Sequence, residues 1–285
     1  MSPDTPAPAS GIEVVNPIRA GRIRSVLFDF DGTLSLIREG WQQVMVPMMV
    51  EVLLQTPEHE PEAEIRACIS AYVEDLTGKQ TIYQMLRLCE EVKRRGGSPN
   101  DPVQYKRDYL ERLWQRISGR VADLESGAAA ADDWLVPGAR PMLESLVARG
   151  VVLYLASGTD HADVVREAAA LDIARYFGDR IFGALDRYWE FSKEMLIGEI
   201  TRTHDLHGPE FAGIGDGYVE IENTKAVGGI AVGVASDETR REGVNEWKRQ
   251  RLIRAGADLI VPDFRGHEEL ISYLWGVRVS SPGRR

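Results

Sequence analysis
Cysteine is scarce: Cys68 and Cys89 are the only two in 285 residues. Two are too few for a disulfide framework or a structural zinc cluster, so reduced, incidental thiols and a cytoplasmic setting are expected. Positive charge is also short, with 34 Lys and Arg against 44 Asp and Glu and a formal net charge of −10. That sign argues against nucleic acid or an anionic membrane as a partner. An anionic substrate would need a local cation or a metal. No apolar run approaches the ~20 residues of a membrane span. The opening "MSPDTPAPAS" lacks the basic head and apolar stretch of a signal peptide. Its Pro, Ala and Ser read as part of a flexible tail over 1–20, and "SSPGRR" reads likewise for 279–285.

What is present is an alternation. From Pro137 onward, short β-type runs ("VVLYLAS", "RIFGAL", "FAGIGD", "IAVGVAS", "DLIVPDF") alternate with helical patterns, one of them "HADVVREAAALDIARYF". Near-continuous apolar strands between amphipathic helices predict βαβ units and a buried parallel sheet, an α/β Rossmann-like core. "RSVLFDF" (24–30) supplies one more strand. Between it and Pro137 the period changes. Ile65, Ile69, Tyr72, Val73 and Leu76, then Ile82, Met85, Leu86, Cys89 and Val92, then Leu110, Leu113, Trp114 and Ile117 fall at helical spacing. The expected organisation is a core of 21–36 and 135–278, split by an all-helical insert over 37–134. The low-complexity "ESGAAAADD" (125–133) is the expected return linker.

In an open parallel sheet, ligands bind beyond the carboxyl ends of the strands. The residues there are Asp29 and Asp31, then Ser157-Gly158-Thr159, then the 186–193 loop with Lys193, then Gly215-Asp216-Gly217. A lone strand-terminal aspartate is an ordinary turn or cap residue, and a lone serine an ordinary N-cap. Two aspartates, a hydroxyl, a lysine and a third aspartate at one edge point instead to a reaction centre.

These stretches resemble the haloacid dehalogenase superfamily: "DFDGT" (29–33), "YLASGT" (154–159), Lys193 and "GDGYVE" (215–220) look like its four motifs. The phosphoglycolate-phosphatase and β-phosphoglucomutase type is the subgroup whose phrasing is most similar, and the helical insert sits where such proteins carry a cap. The resemblance implies a phosphatase for a small phosphorylated metabolite. Asp29 would be the nucleophile that forms an aspartyl-phosphate, and Asp31 the general acid and base. Mg²⁺ would be held by Asp29, Asp31 (through its main-chain carbonyl), Asp216 and Glu220. Ser157, Gly158, Gly32 and Thr33 would contact phosphate, and Lys193 would neutralise charge. Glu220 stands where aspartate is commoner, and Lys193 precedes Glu rather than the usual Pro. In the insert, Lys79 and Arg38 are candidate substrate contacts, with Trp41 beside them. The "HDLH" pair (204–207) reads as helix-end surface, and His161 as a possible neighbour of Ser157. A phosphomutase remains the alternative, with a 2-haloacid dehalogenase or a non-catalytic metabolite-binding module behind it. Dehalogenases of this kind generally lack the second aspartate. The assembly is expected to be a monomer or homodimer.

Overall fold
The computed structural model describes residues 11–185 and 187–277. The chain enters through β1 (Glu13–Val14) and β2 (Ser25–Phe28), then crosses into four helices, α1 (Gln42–Leu53), α2 (Glu62–Asp75), α3 (Thr81–Arg94) and α4 (Pro102–Ser126). It returns through α5 (Ala139–Val147), β3 (Val152–Asp160), α6 (His161–Ala170), α7 (Ala174–Phe177) and β4 (Ile181–Ala184). Then follow α8 (Lys193–Thr203), β5 (Phe211–Gly215), α9 (Tyr218–Ala226), β6 (Ile230–Val234), α10 (Glu246–Arg254), β7 (Leu259–Val261) and α11 (His267–Trp275). The strands form one sheet in the order β1-β7-β6-β5-β2-β3-β4, parallel except for β1. The α/β expectation and the helical insert are both present.

Successive side chains of β2 point to opposite faces. Val26 and Phe28 join a cluster with Met142 of α5, Val164 of α6, Phe177 of α7 and Leu270 of α11. Leu27 joins Leu196, Ile197 and Ile200 of α8 on the other face. Burying a side chain such as Phe28 contributes about 1.5–3 kcal/mol, so this alternation holds β2 firmly in register. Phe28 pairs with Leu155 of β3 and with Ile214 of β5. The residues just past these partners, Asp29, Ser157 and Asp216, therefore emerge side by side at one sheet edge.

The insert packs its helices around Met45, Met49, Ile69, Leu88, Leu113 and Ile117, continuous with the cluster that contains Phe28 of the core. Its two connections run together, because Ser35 bridges Leu135, Leu36 N donates to Trp134 O, and Val136 N donates to Leu34 O. Helix α1 has no clear signature in the sequence: "QQVMVPMMVEVL" is apolar almost throughout and contains Pro47.

Two expectations need correction. The stretch 11–20 is not a free tail. Glu13 and Val14 pair with Ile260 and Leu259, and Asn16 Nδ2 donates to Ala257 O at 3.1 Å. Residues 1–10 and the expected tail 279–285 lie outside the described residues. The helical run 161–177 is broken into α6 and α7, with Asp172 at φ 53°. Asp tolerates that left-handed conformation, and Arg140 donates to the freed carbonyls of Leu171 and Asp172 at 3.0 Å.

Candidate active site
Asp29 leaves β2 on the side that Leu27 faces, toward the start of α8. There Ser192 caps the helix by accepting from Met195 N, and Lys193 occupies the first helical position. Lys193 is 5% exposed, and its Nζ donates to Asp29 Oδ1 at 2.8 Å and to Glu220 Oε1 at 2.5 Å. Burial and then the Glu220 carboxylate push Asp29 well above its ordinary value, against the pull of Lys193. A divalent cation beside this carboxylate would oppose that rise. Burial disfavours the Lys193 charge, but Asp29 and Glu220 outweigh it and keep the ammonium protonated.

Asp31 Oδ2 accepts from Thr159 Oγ1 at 2.8 Å and from Ser157 Oγ at 3.2 Å, while Thr159 N donates back to Ser157 Oγ at 3.0 Å. Asp31 Oδ1 is buried without a hydrogen-bond partner, 3.9 Å from Arg38 Nε. Gly32 follows at φ 75°, and a Cβ there would come within 2.4 Å of Asp216 Oδ2. Only glycine fits this turn against that carboxylate. Thr33 Oγ1 accepts from Asp216 N at 2.9 Å and donates to Asp216 Oδ1 at 3.3 Å. The turn after β2 thus fixes the loop after β5.

Asp29, Asp31, Ser157, Thr159, Lys193 and Asp216 line a cleft of about 380 Å³ closed over by the insert. The loop after α2 packs directly on two core glycines. A Cβ on Gly158 would meet Lys79 O at 2.7 Å, and one on Gly217 would meet Gly78 Cα at 3.2 Å. Gly158 is therefore a seat for the cap loop as well as part of the cleft lining. Arg251 of α10 adds a second tie, donating to the carbonyls at the end of α2, Asp75 O at 2.7 Å among them. Lys79 lines the cleft with an exposed side chain.

Two expected roles change. Glu220 is 0% exposed and turned beneath the loop, so it holds Lys193 rather than facing a metal position. Its place in the first turn of α9 folds the side chain back under Gly215, where an added Cβ would lie 2.3 Å from Glu220 Cγ. Arg38 is bound to protein carboxylates instead of waiting for substrate. It meets Glu167 Oε1 at 2.7 Å and Asp163 Oδ2 at 3.1 Å, and these contacts with Asp31 outweigh burial and raise its pKa. Ser157 lines the cleft at the expected strand end and donates to Asp31. His161 is exposed and does not line the cleft, while His204 bonds the Tyr154 hydroxyl at 2.8 Å.

Several cleft residues escaped the sequence reading: Thr159 as a partner of Asp31, and Glu238 and Lys248 beside Asp216. Lys248 Nζ forms an ion pair with Asp216 Oδ2 at 2.8 Å and donates to Glu238 Oε1 at 2.7 Å. Glu238 had a usable signal, because it lies just past the carboxyl end of β6, where the strand-end rule looks for ligand-binding groups. Lys248 had none, being one of several basic residues on an amphipathic helix.

Among the described residues, no three or more His, Cys, Asp or Glu side chains converge as a ready-made metal cage. The candidate metal donors here are carboxylate oxygens, and Asp31 Oδ1 is a further buried oxygen without a hydrogen-bond partner. That set fits a hard cation such as Mg²⁺, which takes only one or two protein carboxylates and fills its remaining positions from water and substrate phosphate. Asp29 and Asp216, both in the cleft lining, are the carboxylates that could hold it.

Residues 23–228 match the family model of haloacid dehalogenase-like hydrolases. The chain is a haloacid dehalogenase-like hydrolase. Among solved structures, the hydrolase is similar in fold to a predicted phosphoglycolate phosphatase from Haemophilus somnus 129pt, with a TM-score of 0.58, 16% identity, and 88% of this chain and 98% of that one covered. It is also similar to a β-phosphoglucomutase from Clostridium difficile (TM-score 0.53, 14% identity, 81% and 98% covered). A third similar structure is a hydrolase of the same family from Deinococcus radiodurans R1 with bound phosphate and sodium (TM-score 0.53, 16% identity, 91% and 99% covered). No curated protein matches the sequence. No helix among the described residues is long and apolar enough to cross a membrane.

Proposed function
We propose that this hydrolase is a Mg²⁺-dependent phosphatase that cleaves a small phosphomonoester metabolite through an aspartyl-phosphate on Asp29. The observation that carries the reading is the separation of tasks between two aspartates. Asp29 is engaged by a buried ammonium, while Asp31, two residues on, is held by the hydroxyls of Thr159 and Ser157.

In the first step an Asp29 oxygen attacks phosphorus, the ester P–O bond breaks, and Asp31 gives its proton to the leaving oxygen. In the second step Asp31 takes a proton from water, the water oxygen attacks phosphorus, and the bond to Asp29 breaks to release phosphate. Lys193 has three N–H donors and uses two on protein carboxylates. The third is free to stabilise charge on a phosphoryl oxygen. Mg²⁺ held by Asp29, Asp216 and the Asp31 main chain supplies further charge neutralisation when bound. We take residues 37–134 as the cap, 21–36 with 135–278 as the core, and the site of action as the cytoplasm, with a monomer or homodimer as the working unit.

The test is phosphate release from p-nitrophenyl phosphate and a panel of phosphometabolites. Activity should vanish with EDTA and return with Mg²⁺. Asp29→Asn should lower kcat by about 10⁴-fold or more, as loss of a nucleophile does. Activity that survives either treatment would sink the mechanism. Isomerisation of a sugar 1-phosphate without free phosphate would identify a mutase instead.

A further inference from the structure
We propose that Lys248 is a positioning residue that sets the Asp216 carboxylate for its divalent cation, with Glu238 as its anchor; the inference rests on the metal-dependent reading above. Lys248 reaches the cleft from the first turn of α10, where Asn245 caps the helix by accepting from Lys248 N at 3.1 Å. Its side chain is 9% exposed. Three protein oxygens surround its ammonium: it donates to Glu238 Oε1 at 2.7 Å and Ser236 Oγ at 3.2 Å, and forms an ion pair with Asp216 Oδ2 at 2.8 Å.

That count separates Lys248 from Lys193, which keeps a donor for substrate. Lys248 is enclosed by three protein oxygens, so it acts on the reaction through what it holds. Ser236 Oγ donates onward to Gly32 O at 2.7 Å, so the same cation also braces the turn beside Asp31. The other oxygen of Asp216 receives only the 3.3 Å contact from Thr33, which leaves Lys248 as its strongest restraint. Partners that orient a metal-binding carboxylate set metal affinity over about 10–100-fold.

A rival role predicts the opposite sign. If Lys248 were merely a positive charge competing with the metal, removing it would tighten binding.

The experiment measures Mn²⁺ binding by electron paramagnetic resonance in the wild type, Lys248→Met and Glu238→Gln. The expected result is Mn²⁺ affinity weakened about 10–100-fold in Lys248→Met and by less in Glu238→Gln. Raising Mg²⁺ should restore most of the Lys248→Met kcat with KM for p-nitrophenyl phosphate little changed. Unchanged or tighter Mn²⁺ binding in a folded Lys248→Met protein would overturn the proposal. So would a kcat loss that persists at saturating metal with unaltered Mn²⁺ affinity. If circular dichroism shows that Lys248→Met does not fold, Glu238→Gln decides, and unaltered Mn²⁺ affinity there overturns it equally. A wild type that binds Mn²⁺ but releases phosphate from no ester defeats the phosphatase reading alone. A wild type that binds no Mn²⁺ defeats both.

Discussion

On the core side of the cleft, Asp29, Asp31 and Asp216 are each held by a named donor: Lys193, the pair Thr159 and Ser157, and Lys248. On the cap side, the neutral Thr81, Gln84 and Tyr109 line the same cavity beside the charged Arg38, Glu39, Glu74 and Lys79. Burial pushes the Tyr109 phenol well above its ordinary value, so it stays a neutral donor. A preorganised charge array suits a reaction whose charge distribution is the same for every substrate, because fixed groups need not reorganise as charge develops. Among the described cap residues only Arg38 comes within ion-pair distance of one of these aspartates, so the rest of that wall can be exchanged without disturbing the array. On the proposed mechanism the chemistry belongs to the core, and the choice of leaving group falls to the cap.

The comparison can be broken most severely at Lys193. Lys193→Met removes the cation between Asp29 and Glu220 and should lower kcat about 10²–10³-fold at saturating Mg²⁺. Lys79→Ala, on the cap side, should change KM more than kcat. Steady-state kinetics on p-nitrophenyl phosphate distinguishes the two, and equal effects would erase the proposed division of labour.

A second break concerns what holds the cap together. Arg95, 2% exposed, joins Glu91, itself 1% exposed, to Glu60. Arg95→Leu leaves Glu91 buried with weaker compensation and should destabilise the protein by about 3 kcal/mol, the low end for a broken buried pair because Arg87 still bonds Glu91. Urea unfolding checks this, and a change under about 1 kcal/mol would show that Arg95 is not a keystone.

The smallest effect is electrostatic. Hydrogen bonding to Arg95 holds the Glu60 carboxyl below its ordinary 4.5. Its folded value is depressed, so its stabilisation is present above about pH 4.5 and is lost as pH falls through the lower folded value. Glu60→Gln should cost about 0–1 kcal/mol at pH 7, and the gap from wild type should close on acidification. Paired denaturation curves at pH 7 and pH 3 measure it. A gap that widens in acid would reverse the assigned sign.

Much of the fold was legible because its signals are local. The apolar runs that became β2, β3, β5, β6 and β7 carry their burial in a few consecutive residues, and the helices of the insert from α2 on carry theirs at helical spacing. Helix α1 was not legible, since "QQVMVPMMVEVL" is apolar on nearly all sides. The edge strand β1 was missed because two residues show no period, and only Leu259 and Ile260 across the sheet make them a strand.

At the site, the strand-end rule by itself determined Asp29, Asp31, Ser157, Lys193 and Asp216, because parallel register brings strand ends together whatever lies between them. Only the tertiary structure decided allegiance. Arg38 meets Glu167 across 129 positions, Thr33 meets Asp216 across 183, and Ser236 meets Gly32 across 204. Glu220 turned from metal to lysine, and Lys248 came into the cleft from a helix of basic residues. A charged side chain advertises its charge in the sequence but not its partner. Which opposite charge it meets, and whether it is buried there, depends on packing between segments that the sequence keeps far apart.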